Sequence, residues 1–309
     1  VGERPVIADI SHRSDPDRKR DPMTRIDRAS FRRRLEGKDP IIVPYTPDAL
    51  TARLCTRLGF EAGYLGGGGL GYSLAVSEAL LTLTELATAV AAVRRRSALP
   101  LIVDGGVGFG DAVHLTRTVA ELERAGAHAI EIEDQVAPKR VSHHRHIEHL
   151  IPAEEMVKKV RFAVQAREDP DLLIIARTGA IQNEGFDSAI ERCRVYRDAG
   201  ADAVMLLPEG SEQRALIPEK LDCPVATLTS LDLHTPDEWA DMGYALVIDP
   251  VTGQTAAWAA VTEVYQRHAE GRSSGRNPAD AFRIWEEFQD IAGLEELYAI
   301  ERETTEPGT

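Results

Sequence analysis

The sequence predicts a (β/α)8 barrel, an α/β fold built on parallel strands. Three observations carry that prediction: a recurring helix–glycine–strand unit, eight apolar strand-like runs, and capped helical stretches between them. The unit occurs as Arg57-Leu58-Gly59-Phe60-Glu61-Ala62-Gly63-Tyr64-Leu65, Arg124-Ala125-Gly126-Ala127-His128-Ala129-Ile130-Glu131-Ile132, Asp198-Ala199-Gly200-Ala201-Asp202-Ala203-Val204-Met205-Leu206 and Asp241-Met242-Gly243-Tyr244-Ala245-Leu246-Val247-Ile248. Glycine just past a helix end takes the left-handed conformation that side chains resist. The apolar run after it reads as a buried parallel strand.

Residues 1–40 hold nine Arg and two Lys against eight acids, whereas the whole chain carries a net charge of −14. The stretch 1–27 is polar and reads as an extended or docked arm. A short helix follows, with Ser30 as N-cap, Phe31 to Leu35 as body and Gly37 as stop. The strands fall at 41–45, 62–66, 100–104, 128–133, 172–177, 203–208, 223–227 and 245–249. Thr46-Pro47 is a cap with a first-turn proline. Thr82-Leu83-Thr84-Glu85 is a capping box. Pro152-Ala153-Glu154-Glu155 opens a helix with acids in its first turn. Strands and helices alternating over about 230 residues match barrel arithmetic. A doubly wound sheet is the runner-up, but no G-x-G-x-x-G follows the first strand.

After the barrel, Gly271 to Asn277 reads as a linker. Phe282, Trp285, Phe288, Ile291, Leu294, Leu297 and Ile300 then recur at mostly helical spacing, interrupted by Gly293. The chain therefore divides into an arm and short helix at 1–38, a barrel domain at 39–270, and a linker with oligomerisation helices at 271–309.

Composition excludes several classes. A net charge of −14 argues against nucleic-acid binding. No apolar run reaches the ~18 residues of a membrane span, and Val1 to Ile10 lacks the basic-then-apolar layout of a secretory signal. Cys55, Cys193 and Cys223 show no paired framework. They read as core residues of a soluble, cytoplasmic protein.

Barrel chemistry gathers at the C-terminal strand ends. Here those ends carry Tyr45, Gly66 to Gly69, Asp104, Glu133, Arg177, Glu209, Thr227 with Thr229, and Asp249. Asp104 and Glu133 end consecutive strands, and two carboxylates suit a hard cation such as Mg2+. Successive glycines let backbone N–H groups approach an anion. Arg177 offers a planar fork for a carboxylate or phosphate. Together these groups suit an α-keto acid or its enolate. The loop after the fourth strand, 135–149, is long enough to be a lid. Its Lys139, Arg140 and His143 offer positive charge or a proton. Its histidines lack zinc-site spacing.

These stretches resemble the isocitrate lyase/phosphoenolpyruvate mutase superfamily, especially its methylisocitrate and dimethylmalate lyase branch. The likeness rests on Gly59 to Leu65 with the glycine run, Leu101 to Asp104 with Gly108-Phe109-Gly110, Glu133-Asp134-Gln135 with Pro138-Lys139-Arg140, Ile174 to Thr178, and Ala199 to Asp202. It implies a Mg2+-dependent carbon–carbon lyase that passes through a pyruvate-type enolate of a small 2-hydroxy or 2-keto dicarboxylate. It also implies a homotetramer, a dimer of dimers with swapped C-terminal helices. By the same likeness Asp104 and Glu133 are metal-site carboxylates, Glu78 replaces a further acid, and Gly67 and Gly68 form the carboxylate nest, with Gly66, a further substrate-binding candidate, where the pattern has serine. Arg177 is the clamp, Glu209 an active-site acid, and Thr229 faces the substrate; Tyr45 and Thr227, at strand ends, are further substrate-binding candidates.

The departures are specific. Gly106 stands where the pattern has a second aspartate, Val141-Ser142 where it has Cys-Gly, Gly179 where it has Asp, and Thr227 where it has Asn. Loss of the lid cysteine leaves Ser142 or, better placed near neutral pH, His143 as proton donor. Two alternatives stand beside the lyase reading. One is decarboxylation of oxaloacetate, or phosphonopyruvate hydrolase or phosphonomutase-type chemistry, at the same centre. The other is a barrel that binds a metabolite without turnover.

Overall fold

The computed structural model describes residues 26–306, so nearly all of the polar arm lies outside the described residues. The apolar runs form eight parallel strands: β1 (Ile41–Val43), β2 (Gly63–Leu65), β3 (Leu101–Asp104), β4 (Ala129–Glu133), β5 (Leu173–Thr178), β6 (Ala203–Leu206), β7 (Val225–Leu228) and β8 (Leu246–Ile248). They pair in the order β1-β8-β7-β6-β5-β4-β3-β2. A parallel bridge from Tyr45 to Tyr64 brings the two ends of that order together. The result is a nearly closed (β/α)8 barrel.

Around the strands lie α1 (Arg28–Leu35), α2 (Ala49–Arg57), α3 (Gly67–Ser73), α4 (Leu83–Arg94), α5 (Ala112–Ala125) and α6 (Ala153–Ala166). The series continues with α7 (Ala180–Glu184), α8 (Phe186–Asp198), α9 (Ser211–Lys220), α10 (Pro236–Met242) and α11 (Thr252–Ala269). After the linker come α12 (Pro278–Ala292) and α13 (Leu294–Thr304). The joint glycines Gly59, Gly126, Gly200 and Gly243 all have positive φ, between 86° and 108°. Thr82 and Glu85 form the expected capping box of α4.

Two helix starts differ from expectation. Asp27, not Ser30, caps α1, its carboxylate accepting the Ser30 N–H at 2.7 Å. Asp48, not Thr46, caps α2. Thr46 is held extended because its N–H donates to Tyr64 O at 2.7 Å, continuing the strand contact past β1. Pro224 lacks an N–H to donate, and β7 begins only at Val225.

Apolar inward residues such as Ile102, Leu173, Ile175, Met205 and Ile248 fill the barrel. Phe31 and Leu35 join the same cluster, so α1 packs against the barrel interior. The arginines of α1 are engaged there: Arg28 with Asp169, Arg32 with Asp202, Arg34 with Glu61. These pairs engage three of the four arginines of α1; the basic residues of the arm before it lie outside the described residues. Cys55 and Cys193 are buried and Cys223 half-buried, all as free thiols. No helix among the described residues is long and apolar enough to cross a membrane.

Tyr45 fixes the glycine run. A Cβ on Gly69 would lie 2.4 Å from the Tyr45 phenol, which is itself buried. Gly69→Ala is expected to lower stability by about 1–3 kcal/mol through overpacking. Gly253→Ala, whose Cβ meets nothing within 4 Å, is the control expected not to destabilise. Thermal unfolding of both variants checks this.

Candidate active site

The site begins with strand alternation. In β4, Glu131 and Glu133 are two residues apart and share one face. Both are almost fully buried. Asp104 ends β3 next door, and Arg177 lies on β5, paired in register with Glu133. Four elements thus place three carboxylates and a guanidinium at one end of the barrel, together with a fourth carboxylate, Glu78, from the turn after α3.

Asp104 is anchored by backbone. Its Oδ2 accepts the Gly67 N–H at 3.0 Å and its Oδ1 the Gly106 N–H at 2.8 Å. Burial pushes its pKa up, and the neighbouring Glu78 adds to that. The expected anion nest is therefore partly satisfied internally. The glycine run forms the first turn of α3, with Gly66 as N-cap. Close packing demands these glycines: a Cβ on Gly66 would sit 2.7 Å from the Tyr64 ring, and one on Gly68 3.0 Å from Glu78 Oε2.

Lys139 joins the acids. Its Nζ lies 2.6 Å from Glu133 Oε1 and also contacts Glu78 Oε1. Burial alone would lower its pKa, but Glu133, Glu78 and Asp104 outweigh burial and hold it charged. Burial likewise opposes ionisation of Glu133 and Glu78. Lys139 and Arg177 overcome it for Glu133, and the His143 hydrogen bond with Lys139 overcomes it for Glu78. His143 Nε2 stands 2.8 Å from Glu78 Oε1. That bond raises the His143 pKa against the opposing effect of burial.

Arg177 Nη1 donates to Glu131 Oε1 at 3.0 Å, and its Nε lies 3.9 Å from Glu133 Oε2. Tyr64 donates its hydroxyl to Glu131 Oε2 at 2.9 Å. Burial, then Asp104, push the Glu131 pKa up to about 7. Sequence reading passed over Glu131 and Tyr64, although acids spaced by two in one strand signal a shared face. It also passed over Glu148. The Glu148 side chain fills the space a Cβ on Gly179 would need, at 2.8 Å.

Other anticipated residues lie apart. Arg140 is exposed and donates to Pro138 O at 3.2 Å. Ser142 Oγ is 3.1 Å from His149 Nε2. Glu209 is exposed, its N–H donating to Gln213 at 2.9 Å. Asp249 caps the entry to α11 by accepting from Val251 and Thr252 N–H groups. Thr227 is fully buried with its Oγ1 unpartnered, and Tyr45 likewise keeps an unpartnered hydroxyl. Thr229 is half-buried, its N–H donating to Ile248 O at 2.8 Å.

The lid is tied at its base. Gln135 bridges Leu150, Val136 N–H donates to His149 O at 2.8 Å, and Ile151 N–H to Asp134 O at 2.9 Å. Beneath it Asp134 is held by Thr178, Tyr196 and Arg192 at 2.7–3.1 Å. Among the described residues no three His, Cys, Asp or Glu side chains gather at metal-ligand spacing. Lys139 Nζ stands between Glu78 and Glu133 instead.

Comparison with known proteins gives the family of the chain. The phosphoenolpyruvate phosphomutase family model matches residues 31–270. The chain is 39% identical over 269 residues to a 2-methylisocitrate lyase of Aeropyrum pernix, covering 85% of this chain and 86% of that one. The crystal structure of a 2,3-dimethylmalate lyase, described as a PEP mutase/isocitrate lyase superfamily member, superposes with TM-score 0.77 at 28% identity, covering 89% and 94% of the two chains. Phosphonopyruvate hydrolase in complex with oxalate and Mg2+ superposes with TM-score 0.78 at 28% identity, covering 90% and 99%. The chain belongs to the phosphoenolpyruvate phosphomutase family and is an enzyme of the lyase-containing isocitrate lyase/phosphoenolpyruvate mutase superfamily.

Proposed function

We propose that this enzyme is a Mg2+-dependent carbon–carbon lyase acting on a small 2-hydroxy or 2-keto dicarboxylate. The observation that carries the reading is the buried charge excess at the barrel mouth. Among the described residues, the cations paired with the cluster of Glu78, Asp104, Glu131 and Glu133 are Lys139 and Arg177. With all four acids ionised and His143 neutral, two negative charges remain. An all-oxygen donor set with that excess fits a hard divalent ion, and Lys139 Nζ marks a position where a cation is already favoured. Asp104, Glu133 and Glu78 would hold the ion, directly or through water. When bound it would stabilise negative charge developing on the substrate oxygen.

The chain's own groups supply the rest. Arg177 keeps donors beyond its bond to Glu131 and offers them to a carboxylate. Gly68 adds a first-turn N–H of α3, which no helical carbonyl accepts. Tyr45, on the inward side of the barrel seam, offers its hydroxyl to a polar group of the substrate, whereas Thr227 shares the outward face of β7 with Val225 and plays no part. Cleavage needs the 2-hydroxyl to pass its proton to one of the mouth carboxylates while the adjacent carbon–carbon bond breaks, and the departing carbon to gain a proton from a separate donor. His143 Nε2, sharing its proton with Glu78, is the donor in this scheme. Lys139 holds that pair within the site. Ser142 is engaged with His149, and Arg140 lies on the surface.

One observation favours a second reading. The lid presents Val141 and Ser142 in place of a thiol. Loss of carbon dioxide from a 2-keto diacid leaves an enolate and needs no acid at the departing group, so oxaloacetate decarboxylation suits the same centre.

We also infer a homo-oligomer, with a tetramer as the reading. Trp258, Tyr265, Phe282, Trp285 and Phe288 are exposed by 45–71% on α11 and α12. α12 touches its own barrel through Arg57–Asp290 at 2.6 Å, which leaves most of that face uncovered. A cytoplasmic setting is consistent with three unpaired thiols.

Three outcomes follow. Titration calorimetry should show oxalate binding that requires Mg2+, abolished in Asp104→Asn and weakened by about 10²-fold in Arg177→Lys; oxalate indifferent to Mg2+ would reject the chemistry. His143 contributes stability that is fully present below about pH 6.5 and lost as pH rises through its raised native pKa. The melting-temperature gap between wild type and His143→Gln should therefore shrink on the alkaline side. Light scattering should report an assembly that Trp285→Asp dissociates, and a stable wild-type monomer would refute the oligomer.

A further inference from the structure

We propose that a cavity beside the acid cluster binds the second anionic group of the substrate, with Lys159 Nζ as its binding residue and Gln135 Oε1 as acceptor for the substrate hydroxyl. This assignment rests on the lyase reading above and extends it to the part of the substrate that departs.

The cavity, about 700 Å3, reaches from Gly67, Glu78 and Asp104 to Gly106, Gln135 and Lys159. Ligand cavities for small molecules commonly span about 300–1,000 Å3. Lys159 lies on the buried stripe of α6, with Met156, Val160 and Ala163, and is only 2% exposed. Its Nζ donates to Val107 O at 2.6 Å. It makes no ion pair with any carboxylate among the described residues. Burial depresses its pKa, and the acids around it, Glu155, Glu133, Asp134 and Asp111, offset this only in part. Glu155 and Asp111 are themselves exposed and screened by water. A buried ammonium without a counter-ion is costly, and this one lines an open cavity with donor capacity to spare.

Gln135 supplies the second mark. It is 2% exposed, and its Nε2 donates to Glu133 Oε2 at 3.1 Å. That bond fixes the amide so that Oε1 remains a buried acceptor with no partner. A hydroxyl donor placed between two carboxylates satisfies it. The substitution at Gly106 fits the same ligand. A Cβ there would meet nothing within 4 Å, and a carboxylate at that position would repel an incoming anion. Its absence leaves space beside the Lys159 ammonium. A diacid with one carboxylate toward Arg177 and Gly68, the hydroxyl near Gln135 and the other carboxylate on Lys159 uses every one of these groups.

The test separates the two ends with separate probes. Oxalate with Mg2+ reports the Arg177 end. Succinate titrated into the oxalate-loaded enzyme reports the Lys159 end. Lys159→Met should weaken succinate by about tenfold or more, the loss of a charge-assisted hydrogen bond, and leave oxalate affinity unchanged. Loss of both probes together would make Lys159 a support for the Val107 loop and overturn the assignment, as would unchanged succinate binding. If Lys159→Met does not fold, Lys159→Arg carries the comparison: a changed succinate-to-oxalate ratio supports the site and an unchanged ratio overturns it. Oxalate that fails to bind wild type rejects the lyase reading and this assignment with it.

Discussion

Lys139 places its ammonium between Glu78 and Glu133, and the geometry of the barrel mouth follows from that contact. An exposed ion pair contributes about 0–1 kcal/mol. Stripping one partner from a buried pair costs about 3–5 kcal/mol, because the remaining charge cannot be solvated. The lid is therefore not a passive flap. It carries a cation that makes these buried acids tolerable. The same contact brings His143 to Glu78, since both lid residues converge on one carboxylate oxygen. Any ligand that supplies positive charge competes with Lys139 for the acids, and any ligand that supplies negative charge is drawn to Lys139 and Arg177.

The barrel creates this concentration of charge by geometry alone. Parallel strands in register set Glu133 beside Arg177, and Asp104 beside Glu131. Period-two alternation then sends Glu131 inward with Glu133. Glu131 does not reach solvent, yet its two oxygens are met by Tyr64 and Arg177. It fixes one arm of the guanidinium, so that the remaining donors are presented rather than free to rotate. Beneath the lid, Asp134 ties Thr178, Tyr196 and Arg192 into one network, while its backbone oxygen accepts from Ile151. Both ends of the 135–149 loop are thereby held to the barrel.

The sequence announced the barrel because its signals are local. A glycine that must turn left-handed and an apolar run that must be buried are written in adjacent residues, and Gly59, Gly126, Gly200 and Gly243 behave as read. Asp104, Glu133, Arg177 and Lys139 were also legible, since strand ends and a long loop identify a mouth. Glu78, proposed only by likeness, meets Lys139 and His143 in space. What remained hidden depends on contacts distant along the chain. Thr46 looked like a cap until its N–H was seen to serve Tyr64 across the barrel seam. Arg140 and Ser142 share the lid with Lys139, but loop curvature, which no period encodes, turns them elsewhere. The glycine run looked like an open nest, whereas Asp104 already occupies one of its donors.

The departures from the family pattern read differently once positions are known. Gly179 lacks an acid, but Glu148 from the lid base fills the space a side chain there would take. Its carboxyl, raised in pKa by burial and by Glu133, restores acidity near Arg177 from a different strand of the chain. No thiol takes the place of the missing one, while His143 keeps the histidine of the same lid pattern and is bonded to Glu78. Of the departures, only Gly179 has a carboxylate moved into its space, and Gly106 opens on a cavity lined by Lys159. The mouth thus keeps its acids together with Lys139 and His143, and it differs from the pattern chiefly in the wall beside Gly106.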